Sequence, residues 1–515
     1  MLEILAASLL SSIIIISYGE FFCHILFSKN FCSKISKCEK SLVGIIFLTF
    51  LAVFLNFITP LSKEICAIVF LIGVLIYLKN KIWSDYLLLI FTSVLSLVLI
   101  AYSNINRPDA GLYHLPIISM INESKIIFGS SNIHFRFAHG SIIQNFSALY
   151  NIYFFKINII TISTASIFSF FVYFLSEKLI FYIKKNNKIF SVTFLITLIF
   201  TIYSFNRYSG YGNDAVAHIY FIYFFLIILI NDFSQSFRND LLIKVILVSC
   251  FLIGLKLFMI LTFIITIILI IQFDKKMIIL RKKSFYICFF FLLLISLKSL
   301  SISGCILYPL KFTCLKSLKI YNEEQITNTS EMSEAWAKGW PDQDGPISDY
   351  SDYNEKFKWF MTWKDNHLKF ILEKIAPLYI LLILISSIFL ICSDKSTVKK
   401  NDENNRSIKN YKILLVFLIF CNSFWFFKFP LYRFGASYLY CLTLILFLVF
   451  TDKIINSTSI KIIKYLSIIF VFLSFTGFFY KNLNRITIKS NTNNNVWPKI
   501  SYLKKFDKIK INDNG

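Results

Sequence analysis

The stretch "NRPDAGLYHLP" (106–116) sets Asp109, Tyr113 and His114 between Pro108 and Pro116, directly after a long apolar run. A carboxylate at the edge of a membrane can act as a general base, or hold a metal, when its surroundings tune its pKa. Asp109 can equally be the N-cap of a short helix over "AGLYHLPIISMINES", because Asp is favoured at that position. His114 is the natural partner in either proton transfer or metal binding.

Other stretches bring similar chemistry. In "SNIHFRFAHGSIIQNFSALYN" (131–151), His134, Arg136 and His139 can bind phosphate, Arg being the better fork, or anchor an interfacial helix at the headgroups. "RYSGYGNDAVAH" (207–218) places Asp214 as an N-cap and His218 one turn later on the same face, a spacing open to a divalent cation or a proton relay. Lys256 in "CFLIGLKLFMILTF" (250–263) is a lone charge among apolar residues and needs a counter-charge, either a lipid-linked phosphate or Asp109 or Asp214.

"KSLSISGCILYPLKFTC" (298–314) carries Lys298 inside the end of an apolar run, then Cys305 and Cys314, which can pair in an oxidising compartment. Beyond it Trp336 and Trp340 stand among carboxylates, a surface that can stack on sugar rings and bind hydroxyls, or a solvated cover without chemistry. Arg433 in "KFPLYRFG" (428–435) is a further phosphate ligand or a charged anchor.

The elements that must position these residues are apolar helices. The chain has 515 residues, 57% of them hydrophobic, and runs such as "SLVGIIFLTFLAVFLNFI" (41–58) are long enough to cross a bilayer. Mean hydropathy is +0.66, and no alternating barrel-strand pattern occurs. The fold expected is all-α and polytopic, with about 12–14 transmembrane helices. Spans are predicted near 4–27, 42–59, 64–78, 84–102, 152–174, 187–204, 215–231, 284–302, 371–391, 412–428, 434–450 and 462–480. The continuous run 241–273 reads as two short helices meeting near Lys256. The N-terminus lacks the basic region of a secretory signal and reads as an uncleaved first span.

The net charge of +24 does not point to nucleic acid, because much of it lies in short loops such as "DKKMIILRKK" (274–283), where the positive-inside bias puts it. That bias places 28–41, 175–188, 274–283, 392–412 and 451–464 in the cytoplasm. The loops 103–151 and 303–370 then lie outside, with five of the six histidines, Asp109, Asp214 and Lys256. Ionisable groups at membrane depth are expensive and mark function by default; here they are expected at the outer half alone. A transporter or flippase would need them across both leaflets, or an internal repeat. The basic tail, 481–515, falls outside, against the bias.

The order of these features resembles the GT-C superfamily of membrane glycosyltransferases. The shared features are an Asp opening a long outer loop, a short hairpin marked "GLK", and a second long outer loop. The similarity covers roughly 84–391, leaving 1–83 as a three-helix extension and 392–480 as C-terminal helices. It implies a GT-C-like core and a polyprenyl-phosphate-linked sugar donor, with a glycan, lipid or protein acceptor. Asp109 would be the catalytic base with His114 beside it, and Lys256 would be a phosphate ligand, all at the outer face of a bacterial cytoplasmic membrane. A polysaccharide polymerase or ligase, or a lipid-linked-sugar flippase, is the alternative. "DAGLYHLP", "NIHFRF" and "SGCILYP" also resemble an uncharacterised bacterial family of multipass membrane proteins sharing these blocks. The chain departs from the GT-C plan in its three preceding spans and in lacking a paired acidic motif.

Overall fold

The computed structural model describes residues 2–80, 85–100, 109–153, 160–205, 212, 214–231, 233, 237–274, 277–340, 350–355, 357–393 and 404–487. Helices α1 (Leu2–Leu26), α2 (Lys37–Ile58), α3 (Lys63–Lys79) and α4 (Tyr86–Ile100) lead to the first long loop. From there α5 (Ile162–Lys184), α6 (Lys188–Ser204), α7 (Asp214–Ile230), α8 (Arg238–Leu255), α9 (Thr262–Phe273) and α10 (Lys283–Ser303) lead to the second. The bundle is closed by α11 (Lys369–Ile391), α12 (Asn404–Lys428), α13 (Tyr432–Ser457) and α14 (Ile460–Thr487). Among the described residues, eight helices are long and apolar enough to cross a membrane, and four shorter apolar helices accompany them. No strand forms among these residues beyond two isolated bridges. The protein is an all-α, multipass membrane protein.

Side-chain contacts between loops define two ends of the bundle. At one end Ser28 Oγ donates to Asp240 at 2.7 Å and Lys188 Nζ donates to the Asn456 carbonyl at 2.6 Å. This is the basic end. The opposite, loop end carries both long connections, where Asn56 Nδ2 donates to the Ser124 carbonyl at 3.0 Å and Lys428 pairs with Glu334 at 3.1 Å.

In lipid, helices are held together by close packing and interhelical hydrogen bonds rather than by apolar burial alone. Inside α1, α4 and α5 a seam of small hydroxyl residues does this. Ser11 bonds both Tyr150 (2.6 Å) and Ser166 (2.8 Å), Ser12 bonds Thr92 (2.9 Å), and Ser96 bonds Ser169 (2.9 Å). Stacked rings add to it on either side, Phe50 on Phe291 and Phe200 on Tyr440, each pair 4.0 Å between centroids.

Two expectations need correction. The fifth span was expected at 152–174, but the helix runs over Ile162–Lys184. The aromatic run after Asn151 resembles a span by hydropathy, whereas Glu177 and Lys178, which resemble a loop, lie inside the helix. Lys178 can do so because it pairs with Glu39 of α2 at 3.1 Å. The segment before this helix is not interfacial either. Ile143–Ala148 is a short helix buried in the bundle, with Asn122 Nδ2 donating to the Ala148 carbonyl at 2.9 Å.

Candidate functional site

At the loop end, three cations converge on two carboxylates. Asp214 opens α7 and takes Lys256 on one oxygen and the Arg433 guanidinium, at 3.3 Å, on the other. Asp109 sits 3.7 Å from Arg136. The Tyr113 ring lies 5.5 Å beneath Arg136. Phe434 presents its face to both Lys256 (5.2 Å) and Arg433 (5.3 Å), and Trp336 stacks under Arg433 at 5.6 Å. Cations over aromatic faces in this way are attracted by the ring quadrupole.

Backbone detail explains why these groups meet. Lys256 stands where α8 ends in an extended residue before the tight turn Leu257–Leu261, so its side chain leaves the helix axis at the loop end. Gly254 allows the first loop to press against α8: a Cβ there would lie 2.4 Å from Ile142, whose backbone N–H donates to the Gly254 carbonyl at 3.0 Å. Arg433 follows a turn clamped by two indoles, Trp363 donating to the Pro430 carbonyl (2.7 Å) and Trp425 to the Leu431 carbonyl (2.8 Å). Gly435 admits the Trp425 ring, which would be 2.3 Å from a Cβ at that position.

Asp109 is not a helix cap. Its backbone is helical (φ −61°, ψ −31°), and its side chain bonds no backbone N–H of the following turn. Residues Ala110–His114 form a wide π turn, a form found often at functional sites. It frees the carboxylate to face Arg136. Asp214 likewise lies within the first turn of its helix and spends its carboxylate on Lys256 and Arg433 rather than on capping.

His114 is buried behind this cluster, where Gln144 Nε2 donates to its Nδ1 at 3.1 Å. Burial, then the Lys256 charge, pushes its pKa down to about 4, so the ring is neutral at pH 7. The tautomer set by Gln144 leaves the proton on Nε2, the nitrogen nearest Gly212.

Several expected site residues lie elsewhere. His218 accepts from Ser437 Oγ at 2.8 Å and donates to the Arg433 carbonyl at 2.9 Å, so neither ring nitrogen is left for a metal. It braces the Arg433 backbone instead. His134 accepts from the Arg136 N–H at 3.2 Å as a local cap. His139 leans on Tyr308, 5.3 Å between ring centroids, beside the disulfide that joins Cys305 to Cys314. Trp340 packs on Tyr350 and Tyr353 inside the second loop, whose acidic tip (341–349) lies outside the described residues, as do 207–211 and 488–515. Lys298 contacts Asn145, not the cluster. Among the described residues no three His, Cys, Asp or Glu side chains group as metal ligands.

Gln144 and Phe434 are site residues that the sequence reading lacks, whereas Tyr113 is named there without a role. The polar pair Gln144–Asn145 inside an apolar run was the available signal, since buried amides need partners. The expectation that ionisable groups gather at one end alone is also wrong. A second cluster lies at the basic end, where Glu39 takes Lys244 and Lys178, and Glu20 takes Lys40 at 2.9 Å.

A multipass helical bundle with a half-open cluster of charged and aromatic side chains at its loop end is thus the class of protein defined here. The chain belongs to the family described as Domain of unknown function (DUF8201), whose model matches residues 1–440. No curated protein and no solved structure matches the chain.

Proposed function

We propose that the protein is a GT-C-like membrane glycosyltransferase of a bacterial cytoplasmic membrane. Its loop end faces outward and moves a sugar from a polyprenyl-phosphate-linked donor to an extracytoplasmic glycan, lipid or protein. The observation that carries the proposal is the convergence of Arg136, Lys256 and Arg433 on Asp109 and Asp214, half-open and roofed by aromatic faces. Three cations against two carboxylates leave one positive charge, and neutral His114 adds none. Such a site gains by receiving a phosphate and is set to stabilise the charge that develops on it as it leaves.

The two carboxylates differ in availability. Asp214 is saturated by two cations and serves to orient them. Among the described residues Asp109 has one ion-pair partner, at the long distance of 3.7 Å, and a side chain 44% exposed, so it is the carboxylate an incoming hydroxyl can reach. In the step proposed, the acceptor hydroxyl attacks the anomeric carbon and gives its proton to Asp109. The carbon–oxygen bond to phosphate breaks, the electron pair stays on the phosphate under Lys256 and Arg433, and the anomeric configuration inverts. Trp336, exposed beside Arg433, offers an apolar face to a sugar ring.

The test is complementation of a deletion strain with wild type or Asp109→Asn, with membrane protein levels followed in parallel. The expected result is equal protein, loss of surface glycan and accumulation of the lipid-linked sugar. Full restoration by Asp109→Asn sinks the proposal.

A further inference from the structure

Four lysines are buried among the described residues: Lys40, Lys244, Lys298 and Lys338. Three of them touch a carboxylate, Lys40 on Glu20, Lys244 on Glu39 and Lys338 on Glu334. Lys298 does not. At 7% exposure its one polar contact among the described residues is the Asn145 Oδ1 atom, 2.5 Å away, and no carboxylate there pairs with it. An unpaired buried ammonium is costly and is retained where something supplies its counter-charge.

The surroundings show where a counter-charge can enter. Lys298 lines a cavity of about 40 Å³ between α2, α10 and the first long loop, with Asn56, Ser130 and Gly140 supplying polar edges. Ile117, Ile121 and Phe137 form an apolar wall, while Lys125 and Ile127, both exposed, stand at the mouth. On the far side the Asn145 amide nitrogen and the Gln144 carbonyl oxygen are buried without partners among the described residues. Farther along the same two helices, Phe54 and Phe290 meet at 6.1 Å and are both exposed to the lipid side. A positive pocket thus opens above an apolar, lipid-facing seam, and Gln144 and His114 separate it from the Asp109–Asp214 cluster.

We propose that this pocket binds the anionic head group of a membrane amphiphile, with Lys298 as its counter-ion, Lys125 at its entrance and the hydrocarbon lying along the α2–α10 seam. The site is additional to the cluster and does not depend on the transfer reading, because it is tested by binding without turnover.

The purified full-length protein in neutral detergent is titrated with dodecyl phosphate, and separately with inorganic phosphate, while the thermal unfolding midpoint is followed. Dodecyl phosphate is expected to raise the midpoint saturably for wild type and for Asp214→Asn. For Lys298→Met the apparent affinity falls by about tenfold or more, the loss expected for one charge-assisted hydrogen bond. Inorganic phosphate at equal concentration is expected to do far less. Equal affinity in Lys298→Met, loss of the effect in Asp214→Asn, or equal stabilisation by inorganic phosphate would each overturn the proposal. Should Lys298→Met not fold, Lys125→Ala at the exposed mouth decides: weaker dodecyl phosphate binding supports the pocket, and unchanged binding rejects it.

Discussion

Two charged clusters sit at opposite ends of one helix bundle, built from the same residue types. At the basic end Glu39 and Lys244 have side chains only 7% and 3% exposed, and Lys178 closes the second carboxylate oxygen. Lys40 on Glu20 extends this network, and its ammonium too is largely buried. At the loop end three cations again face two carboxylates, but there Asp109 and Arg433 are 44% and 39% exposed. Pairing alone does not separate a structural staple from a site. Access does: a closed network can only hold helices together, whereas an open one can exchange partners with a ligand.

The comparison breaks most visibly through stability. Glu39→Ala leaves buried Lys244 and half-buried Lys178 without the acid they share, a defect that costs about 3–5 kcal/mol. Little folded protein should survive detergent extraction, and size-exclusion yield reads this directly. Removing both sides, Glu39→Leu with Lys244→Leu, should restore part of the yield, since paired charges replaced by apolar groups cost little. Equal yields for Glu39→Ala and wild type would show that the basic end is no staple. Lys256→Met is the counterpart at the loop end. Protein level should stay near wild type because Arg433 still neutralises Asp214, while transfer falls on the order of 10²-fold with the loss of a preorganised cation. A collapse of protein level there would make the loop-end cluster a second staple.

Sequence reading recovered these two ends unequally, and the reason is physical. Spans were legible because apolar runs of membrane length have few other uses. Asp109, Arg136, Asp214, Lys256 and Arg433 were legible because each is an isolated charge at a helix end, and the fold does bring them together. Glu39, Glu177 and Lys178 were hidden because a charge near the basic end of a span resembles an ordinary positive-inside loop. Only tertiary pairing draws such residues into the helix. Likewise, His218 and His134 have the right type and neighbourhood for chemistry, but hydrogen bonds to Ser437, the Arg433 carbonyl and the Arg136 N–H consume them. No spacing rule reveals that a ring nitrogen is already taken.

A smaller effect sharpens the loop end. Arg433→Lys keeps the charge but loses the planar fork that faces Asp214 and the stacking over Trp336 and Phe434. Transfer should fall about tenfold, the worth of one charge-assisted bond, with protein level unchanged. Activity equal to wild type would mean that only a point charge is needed.

The smallest effect is a pH dependence tied to His114. Its folded-state pKa of about 4 lies below the usual value of about 6.5 for an exposed histidine. Between those values the unfolded chain binds the proton and the folded chain does not, so protonation favours unfolding. The stability held by neutral His114 is therefore complete above about pH 6.5 and is lost as pH falls towards 4, by up to about 1.4 kcal/mol per pH unit. His114→Gln, with an amide still able to meet Gln144, should flatten the fall of the unfolding midpoint across that window. The difference between the two curves isolates this group from others that titrate nearby. Superimposable curves would mean that His114 takes up its proton in the folded protein as readily as in water, and that the wall behind Asp109 and Lys256 is wet.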